Sequence, residues 1–263
     1  MEAAPEITLF RLFLAFGLLI VPIALSLYMR LGIVQQLLIS AGRMTGQLFL
    51  VSIVLIFLFR WDNTWLNIAW VVMMIFFACL SAMINSKLSF RYFFGPVFIS
   101  YFLGTGLVLL FFNSVVVNYE NIFSARLMVV VGGMLLGNSL SSTIIGISHF
   151  YESLKKDRKR YLYLLSLGAS QSEALLPFYR DAFLAALKPF MAGMATMGLV
   201  SLPGMMTGQI LGGANPETAI KYQIAIVLAI FTAITLSVAL SLFFSARRAF
   251  NPYGILREDL FRG

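Results

Sequence analysis

The chain has 263 residues, of which 60% are hydrophobic and 11% are charged, and it carries a formal net charge of +8. Soluble domains average about 25% charged residues, so the composition excludes an ordinary soluble protein and indicates an integral membrane protein. The positive charge is explained by basic loops beside anionic lipid, and we expect no nucleic-acid binding.

Seven segments are apolar enough to form helices that cross a hydrocarbon core about 30 Å thick, which takes about 20 residues. They cover approximately residues 9–29, 44–59, 65–84, 96–116, 127–147, 183–202 and 222–244. The first follows Glu2 and Glu6 instead of a basic stretch, which argues against a signal peptide. We therefore predict an all-α, polytopic protein in the lipid bilayer, with one transmembrane domain over residues 1–263.

Basic residues are concentrated on one side of the predicted membrane helices. The odd-numbered connections and the C-terminal tail hold Arg30, Arg43, Lys87, Arg91, Lys155, Lys156, Arg158, Lys159, Arg160, Arg180, Arg247, Arg248, Arg257 and Arg262. Cytoplasmic loops retain an excess of lysine and arginine. The pattern predicts an external N-terminus, a cytoplasmic C-terminus and a multi-pass location in the cell membrane.

Several chemistries lack their sequence signals. The chain has no G-x-x-x-x-G-K-[ST] motif, so it cannot by itself be a P-loop ATPase. It has one cysteine, Cys79, and one histidine, His149, which excludes a Cys/His zinc cluster. No paired carboxylates or nucleophile–base spacing suggests an enzyme. We expect no catalytic site and no cofactor on this chain.

The centres of the predicted spans contain no Asp or Glu, although ion-driven carriers usually keep an ionisable group there. This disfavours an ion-coupled carrier or channel. That alternative stays open, because backbone carbonyls and hydroxyls can bind sodium at broken helices.

The fifth predicted span is unusually polar, with Asn138 and Ser142 four residues apart on one face. One interpretation is close helix packing with hydroxyls bonded to their own backbone. The other is that these two side chains line a translocation path.

The connection over about residues 149–180 is too long for a turn, and it is expected to form cytoplasmic helices. Gly168 can end one helix, and Ser170 three residues before Glu173 matches a capping box that begins the next. Pro177 is the expected stop or bend. One interpretation is that a helix of defined shape here binds a soluble partner protein. The alternative is a basic loop exposed to water.

Residues 198–216 combine glycines, amides and methionines. Gly204, Gly208 and Gly212 recur every four residues, so on a helix they form a bare ridge that another helix can approach closely. Pro203 suits a first helical turn. The other faces would carry Met205, Met206, Thr207 and Gln209. Such a ridge fits an outer gate or a tightly packed helix end, and no metal ligands can be assigned because thioethers favour soft ions.

Two long motifs carry a family resemblance. LSLGASQSEALLPFYRDAFLAALKP and GLVSLPGMMTGQILGGANPETAIKYQI closely resemble FetB-type permeases, the membrane subunits of small bacterial ABC transporters linked to iron export. Plant aluminium-tolerance membrane proteins are similar in the same region. The AGRMTGQ and GGMLLGNSLSS runs also resemble the family, so the likeness covers most of the chain.

The resemblance implies a permease homodimer in the bacterial inner membrane that exports a metal ion, with iron favoured. A separate ATP-binding cassette subunit would bind ATP and magnesium at the cytoplasmic face. The coupling residues would be Leu167, Gly168, Ala169, Ser170, Glu173 and Pro177. The path or gate would comprise Asn138, Ser142, Pro203, Gly204, Met205, Met206, Thr207, Gly208, Gln209 and Gly212. A small organic cargo such as a nucleotide sugar is an alternative.

Overall fold

A computed structural model describes residues 7–86, 88–119, 121–251 and 254–257, and the regular elements in these ranges are all helical. The α-helices are α1 Leu9–Ala15, α2 Ile20–Tyr28, α3 Val34–Trp61, α4 Thr64–Asn85, α5 Phe90–Phe111, α6 Ala125–Lys156, α7 Arg158–Ser166, α8 Gln171–Thr196, α9 Gly204–Leu211 and α10 Pro216–Ala249. A 3-10 turn joins α1 to α2, and a π turn, Phe112–Val116, follows α5.

Six helical stretches within the described ranges are long and apolar enough to cross a membrane. They are Leu9–Tyr28, Val34–Trp61, Thr64–Asn85, Phe90–Val116, Ala125–Lys156 and Pro216–Ala249. The prediction of an all-α, multi-pass membrane protein is confirmed. The sixth predicted segment, 183–202, falls on the second half of α8 and the turn after it. This helix is not among the six, and it carries Arg180, Asp181 and Lys188.

The contacts between helices define their relative directions. Val71 of α4 lies against Gly132 of α6, and further along the same two helices Met74 lies against Gly133, so α4 and α6 run parallel. Gly146 of α6 lies against Val238 of α10, and the Tyr151 hydroxyl donates to Ser245 Oγ at 3.0 Å. From the first contact to the second the residue number rises in both helices, so α6 and α10 are also parallel.

The intervening helices run in the opposite direction. Gly104 of α5 lies against Ser237 of α10, whereas Gly95, earlier in α5, lies near the later Arg248. Similarly, α8 runs antiparallel to α6, because the Tyr179 ring stacks on Phe150 and the later Ala186 lies against the earlier Gly146. After α6 the chain therefore runs back along α8, and α10 then runs parallel to α6.

Asp62 fixes one end of the bundle, which we name the Asp62 end. Its carboxylate accepts hydrogen bonds from the Ala125 backbone N–H at 2.6 Å and from Asn67 Nδ2 at 3.1 Å. Asn67 Nδ2 also donates to the Phe123 carbonyl at 2.8 Å. The negative charge sits at the first turn of α6, where it complements the helix dipole. We name the opposite end, which carries α7, the α7 end.

The buried core is built mainly from α4, α5, α6, α8 and α10. The first two candidate spans contribute little, since only 6% of their apolar window is buried, compared with 50% for the span over α6. The helices α1 to α3 are therefore peripheral in a single chain, where their outer surfaces face lipid or another protein.

Candidate functional site

The turn between α7 and α8 is closed by two consecutive capping motifs. At the end of α7, Gly168 N–H donates to Leu165 O at 3.0 Å and Ala169 N–H donates to Leu164 O at 3.2 Å. Gly168 has φ +89°, a left-handed conformation that glycine adopts at little cost. This pair of hydrogen bonds is a Schellman motif, and it ends the helix where the sequence predicts.

The next helix begins with the predicted capping box. Ser170 Oγ accepts from Glu173 N–H at 3.3 Å, and the Glu173 carboxylate accepts from Ser170 N–H at 2.8 Å and from its hydroxyl at 2.7 Å. These bonds from Ser170, first the hydroxyl and then the backbone, lower the pKa of the Glu173 carboxyl. The charged carboxylate therefore closes the capping box at neutral pH, and together with the Schellman motif it gives the turn a defined shape.

Apolar side chains project from this turn. Leu167 is 66% exposed, and Tyr163 and Leu176 are also exposed. The side chains of Ser170 and Glu173 are exposed beside them. An apolar projection with a rigid polar base can dock into a pocket on another protein.

The structure differs from the expectation for this region in two respects. The stretch 149–156 belongs to α6, which continues without a break to Lys156. Pro177 does not stop α8, so that part of the prediction is wrong, and the helix runs on to Thr196 with Pro177 and Pro189 inside it. Packing of Ala174, Phe178 and other buried positions of α8 onto the core stabilises the helix despite the hydrogen bonds that proline removes.

A C-terminal segment connects α7 to the bundle. The buried Tyr161 hydroxyl donates to the Gly254 carbonyl at 2.7 Å, and its ring lies against Phe250, just after α10. Burial raises the pKa of Tyr161, so the hydroxyl stays protonated and can donate. A displacement of α7 would therefore be transmitted to the end of α10.

The two polar residues predicted on α6 occupy different environments. Asn138 is half-buried and donates through Nδ2 to the Met134 carbonyl at 2.8 Å, which is the backbone-bonded arrangement. Ser142 is buried. Next to Asn138, Ser141 and Ile145 are exposed in the single chain. Asn138 thus lies at the margin of an open face, while Ser142 lies on the packed side.

A cluster of buried hydroxyls between α5, α6 and α10 was only partly visible from the sequence. Its members are Tyr101, Thr105, Ser139, Thr143, Ser237 and Ser241. The hydroxyls of Thr105, Ser139, Ser237 and Ser241 have no hydrogen-bond partner within the described part of the chain, whereas the Tyr101 and Thr143 side chains interact with each other. Thr105 and the small residues of α6 stand out in the sequence. The α10 serines do not, because they are scattered in a strongly apolar run, although their spacing of four residues signals one face.

The short helix α9 bears the predicted glycine ridge at the Asp62 end. Pro203 is the N-cap and α9 begins at Gly204, while a second Schellman motif at Gly213 ends it after Leu211. A Cβ placed at Gly204 or Gly208 would meet no atom within 4 Å. In the described single chain the ridge therefore faces open space, and no helix packs on it.

The other predicted residues of α9 divide between packing and exposure. Met206 is buried, and with Gln223 and Ile224 of α10 it lines a cavity of about 450 Å³. Met205 packs against the main core, and Thr207 Oγ1 donates to the Pro203 carbonyl at 3.1 Å. Gln209 is half-buried, and Gly212 is the exposed C-cap.

One face of α8 was not recognised as a candidate site. Asp181, Leu184 and Lys188 are exposed at a spacing that places them on the same face. The sequence signal for this face is Lys188, a charged residue within the predicted apolar segment 183–202. A lysine on an apolar helix is expected to face protein or water rather than lipid.

No group of three or more His, Cys, Asp or Glu side chains that could hold a metal ion occurs among the residues that the structure describes. His149 is exposed and its ring lies 3.3 Å from Ser153 Oγ. Cys79 is buried, with its thiol 3.4 Å from the Phe94 carbonyl. The described residues of a single chain thus include exposed and packed surfaces but no such group of metal ligands.

Comparisons with known proteins agree on one family. The model of an uncharacterised protein family, UPF0014, matches residues 9–250. The chain is similar to the probable iron export permease protein FetB of Escherichia coli (strain K12), with 31% identity over 94% of this chain and 93% of that protein. It is 28% identical to the protein ALUMINUM SENSITIVE 3 of Arabidopsis thaliana over 85% of this chain and 80% of the relative. For the rice membrane protein STAR2 of Oryza sativa subsp. japonica, identity is 30% over 83% of this chain and 75% of the relative. No solved structure is a significant match.

Proposed function

Since the chain belongs to the UPF0014 family of membrane proteins, we propose that it is the permease subunit of an ABC transporter in the bacterial inner membrane. A separate subunit would bind ATP and magnesium and hydrolyse the nucleotide, and this chain would form the path. The cargo would be an exported metal ion, with iron favoured by the name of the similar FetB.

The observation that carries the proposal is the doubly capped turn between α7 and α8. Its Schellman motif and capping box hold Leu167 outward at the α7 end. Because α8 packs along α6, and Tyr161 joins α7 to the C-terminal segment beyond α10, force applied to the turn would reach three long helices. This arrangement suits coupling to an external ATPase.

We propose that α8 is a seventh span, and that the α7 end is cytoplasmic. The parallel course of α6 and α10 supports a crossing between them, and α8 spans about 39 Å at 1.5 Å per residue, enough to cross the hydrocarbon core. The basic residues of α7, together with Arg247 and Arg248 at the end of α10, support the orientation by the positive-inside rule.

We further propose that two copies of the chain enclose the path. The face of α8 with Asp181, Leu184 and Lys188, and the ridge of Gly204 and Gly208, are uncovered in one chain. Ionisable side chains are costly against lipid, which favours a second copy or water at this face. In this arrangement α9 would act as a gate near the outer surface, and Asn138 would lie at the margin of the path.

Docking of the ATPase subunit can be tested with two matched leucine variants. We expect Leu167→Asp to abolish co-purification of a stoichiometric ATP-binding cassette subunit and ATP-driven transport, because it places a charge in an apolar contact. Leu199→Asp is the control, since Leu199 is 92% exposed at the Asp62 end. Transport that continues without nucleotide, or docking that survives Leu167→Asp, would contradict the proposal and favour an ion-coupled carrier or channel.

The cargo requires a separate test. We expect Fe(II) to stimulate the ATPase activity of the reconstituted complex and to cross the membrane, while nucleotide sugars have no effect. If nucleotide sugars stimulate it and iron does not, the cargo is a small organic molecule, and the assignment of an ABC permease remains intact.

A further inference from the structure

A continuous cleft separates α3 from α4 and α6. Its part nearer the α7 end has a volume of about 800 Å³ and its deeper part about 600 Å³. The two parts share Gln47, Phe77 and Ser81 in their walls, so they form a single space. None of its lining residues belongs to the turn between α7 and α8 or to the face of α8 that carries Asp181, Leu184 and Lys188.

The polarity of the cleft changes along its length. Towards the α7 end it is lined by a cation, amides and hydroxyls, namely Gln36, Ser40, Arg43, Gln47, Ser81 and Asn85. Its deeper part is lined by apolar side chains and bare glycines, including Leu50, Trp70, Met74, Leu136 and Gly137. The space is therefore amphipathic, with a polar mouth and an apolar interior.

The polar side chains on α3 are arranged as one stripe. Gln36, Ser40, Arg43 and Gln47 follow at intervals of four, three and four residues, which keeps them on one face. All four are exposed in the single chain. No Asp or Glu belongs to the described residues that line either part of the cleft, so Arg43 has no acidic neighbour in its walls.

The depth of Arg43 matches that of a lipid headgroup. Trp61 lies at the Asp62 end of α3, where tryptophan commonly marks the membrane interface. The 18 residues from Arg43 to Trp61 span about 27 Å of helix, close to the thickness of the hydrocarbon core. Arg43 is thus placed at the opposite interface, and the apolar part of the cleft extends from it towards the bilayer centre.

We propose that this cleft binds an anionic phospholipid of the leaflet at the α7 end. The phosphate would lie at Arg43 beside Ser40 and Gln47, which are its neighbours on the same helix face, and an acyl chain would occupy the cavity beside Trp70. The charge selects an anionic headgroup, whereas the apolar cavity selects a molecule with a hydrocarbon tail. A soluble anion would satisfy only the first of these requirements.

Trp70 provides a direct reporter of the occupant. In the full chain carrying Trp61→Phe and Trp65→Phe, Trp70 is the remaining tryptophan. The protein would be reconstituted in phosphatidylcholine vesicles containing equal minor fractions of either brominated phosphatidylglycerol or brominated phosphatidylcholine. We expect brominated phosphatidylglycerol to quench Trp70 with about fivefold higher apparent affinity, the preference expected for one arginine beside an anionic headgroup.

Four variants separate the headgroup site from the acyl site. Arg43→Gln should remove the preference for phosphatidylglycerol, while Arg43→Lys retains it and Arg91→Gln, at an exposed arginine on α5, leaves it unchanged. Gly137→Leu should reduce quenching by both lipids, because its position faces free space in the cavity. Circular dichroism would verify that each variant is folded.

Several outcomes would overturn the proposal. Equal quenching by the two lipids, or a preference that survives Arg43→Gln, would exclude headgroup selection. Competition by soluble glycerol phosphate at constant ionic strength would identify a water-soluble ligand instead. An absence of quenching by either lipid is the result expected if a second copy of the chain fills the cleft.

Discussion

Gly104 illustrates how a single missing side chain permits two helices to touch. A Cβ placed there would lie 2.6 Å from Ser237 Oγ and 2.9 Å from the Ser237 backbone nitrogen of α10. The hydroxyl can rotate away, but the backbone atom cannot move without shifting the helix. The contact between α5 and α10 therefore depends on glycine at this position.

We expect Gly104→Ala to destabilise the protein by about 1–3 kcal/mol, the usual cost of overpacking a core. Gly106→Ala is the matched control, because a Cβ at Gly106 meets nothing within 4 Å, and replacing a helical glycine by alanine stabilises by about 0.4–1 kcal/mol. The lone, buried Cys79 serves as the reporter, since a thiol-reactive dye labels it only as the protein unfolds. Equal melting temperatures for the two variants would contradict the close contact.

At the scale of elements, the helix ends were the best predicted features. Gly168 and the pair of Ser170 and Glu173 act on backbone groups a few residues away, so their short sequence patterns suffice. The C-terminal ends of α6 and α8 were predicted poorly. Tertiary packing carries α6 through to Lys156 and α8 through Pro177, and neither effect has a local signal.

The contacts between elements could not be read from one sequence. Asp62 caps α6 through Ala125, 63 residues away, and the Tyr161 hydroxyl reaches Gly254, 93 residues away. Such pairs depend on how the helices are arranged around each other. The hydroxyl cluster has the same origin, because its members come from three helices that the chain brings together.

The Tyr161–Gly254 hydrogen bond gives a prediction for the link between α7 and the C-terminal segment. Tyr161→Phe keeps the ring beside Phe250 and removes the bond, so we expect a loss of about 1 kcal/mol in the free energy of unfolding. Amide hydrogen exchange over residues 254–257 should become faster. Tyr163→Phe is the control in the same helix, since Tyr163 is largely exposed. Unchanged exchange in Tyr161→Phe would show that this bond does not hold the segment.

The whole molecule has one face that a single chain leaves incomplete. The helices α4, α5, α6 and α10 bury much of their surface against one another, whereas the Asp181, Leu184 and Lys188 face of α8 has no covering element in the described chain. Apolar residues on α3 are equally uncovered, but they are suited to lipid. The α8 face carries charged side chains and is therefore suited to water or protein, whereas the apolar surface of α3 is suited to lipid.

Cysteine accessibility tests this distinction in the assembled protein. In a Cys79→Ser background, Leu184→Cys and Phe49→Cys each lie 12 residues before the end of their helix, at Thr196 and Trp61. Both native side chains are exposed, Leu184 by 42% and Phe49 by 51%. We expect a charged, water-soluble maleimide to label Leu184→Cys in membranes and to leave Phe49→Cys unlabelled, because thiols against hydrocarbon are not reached by a charged reagent. ATP with the partner ATPase should change the labelling rate of Leu184→Cys alone. Labelling of neither site, or of both equally, would mean that α8 does not line an aqueous path.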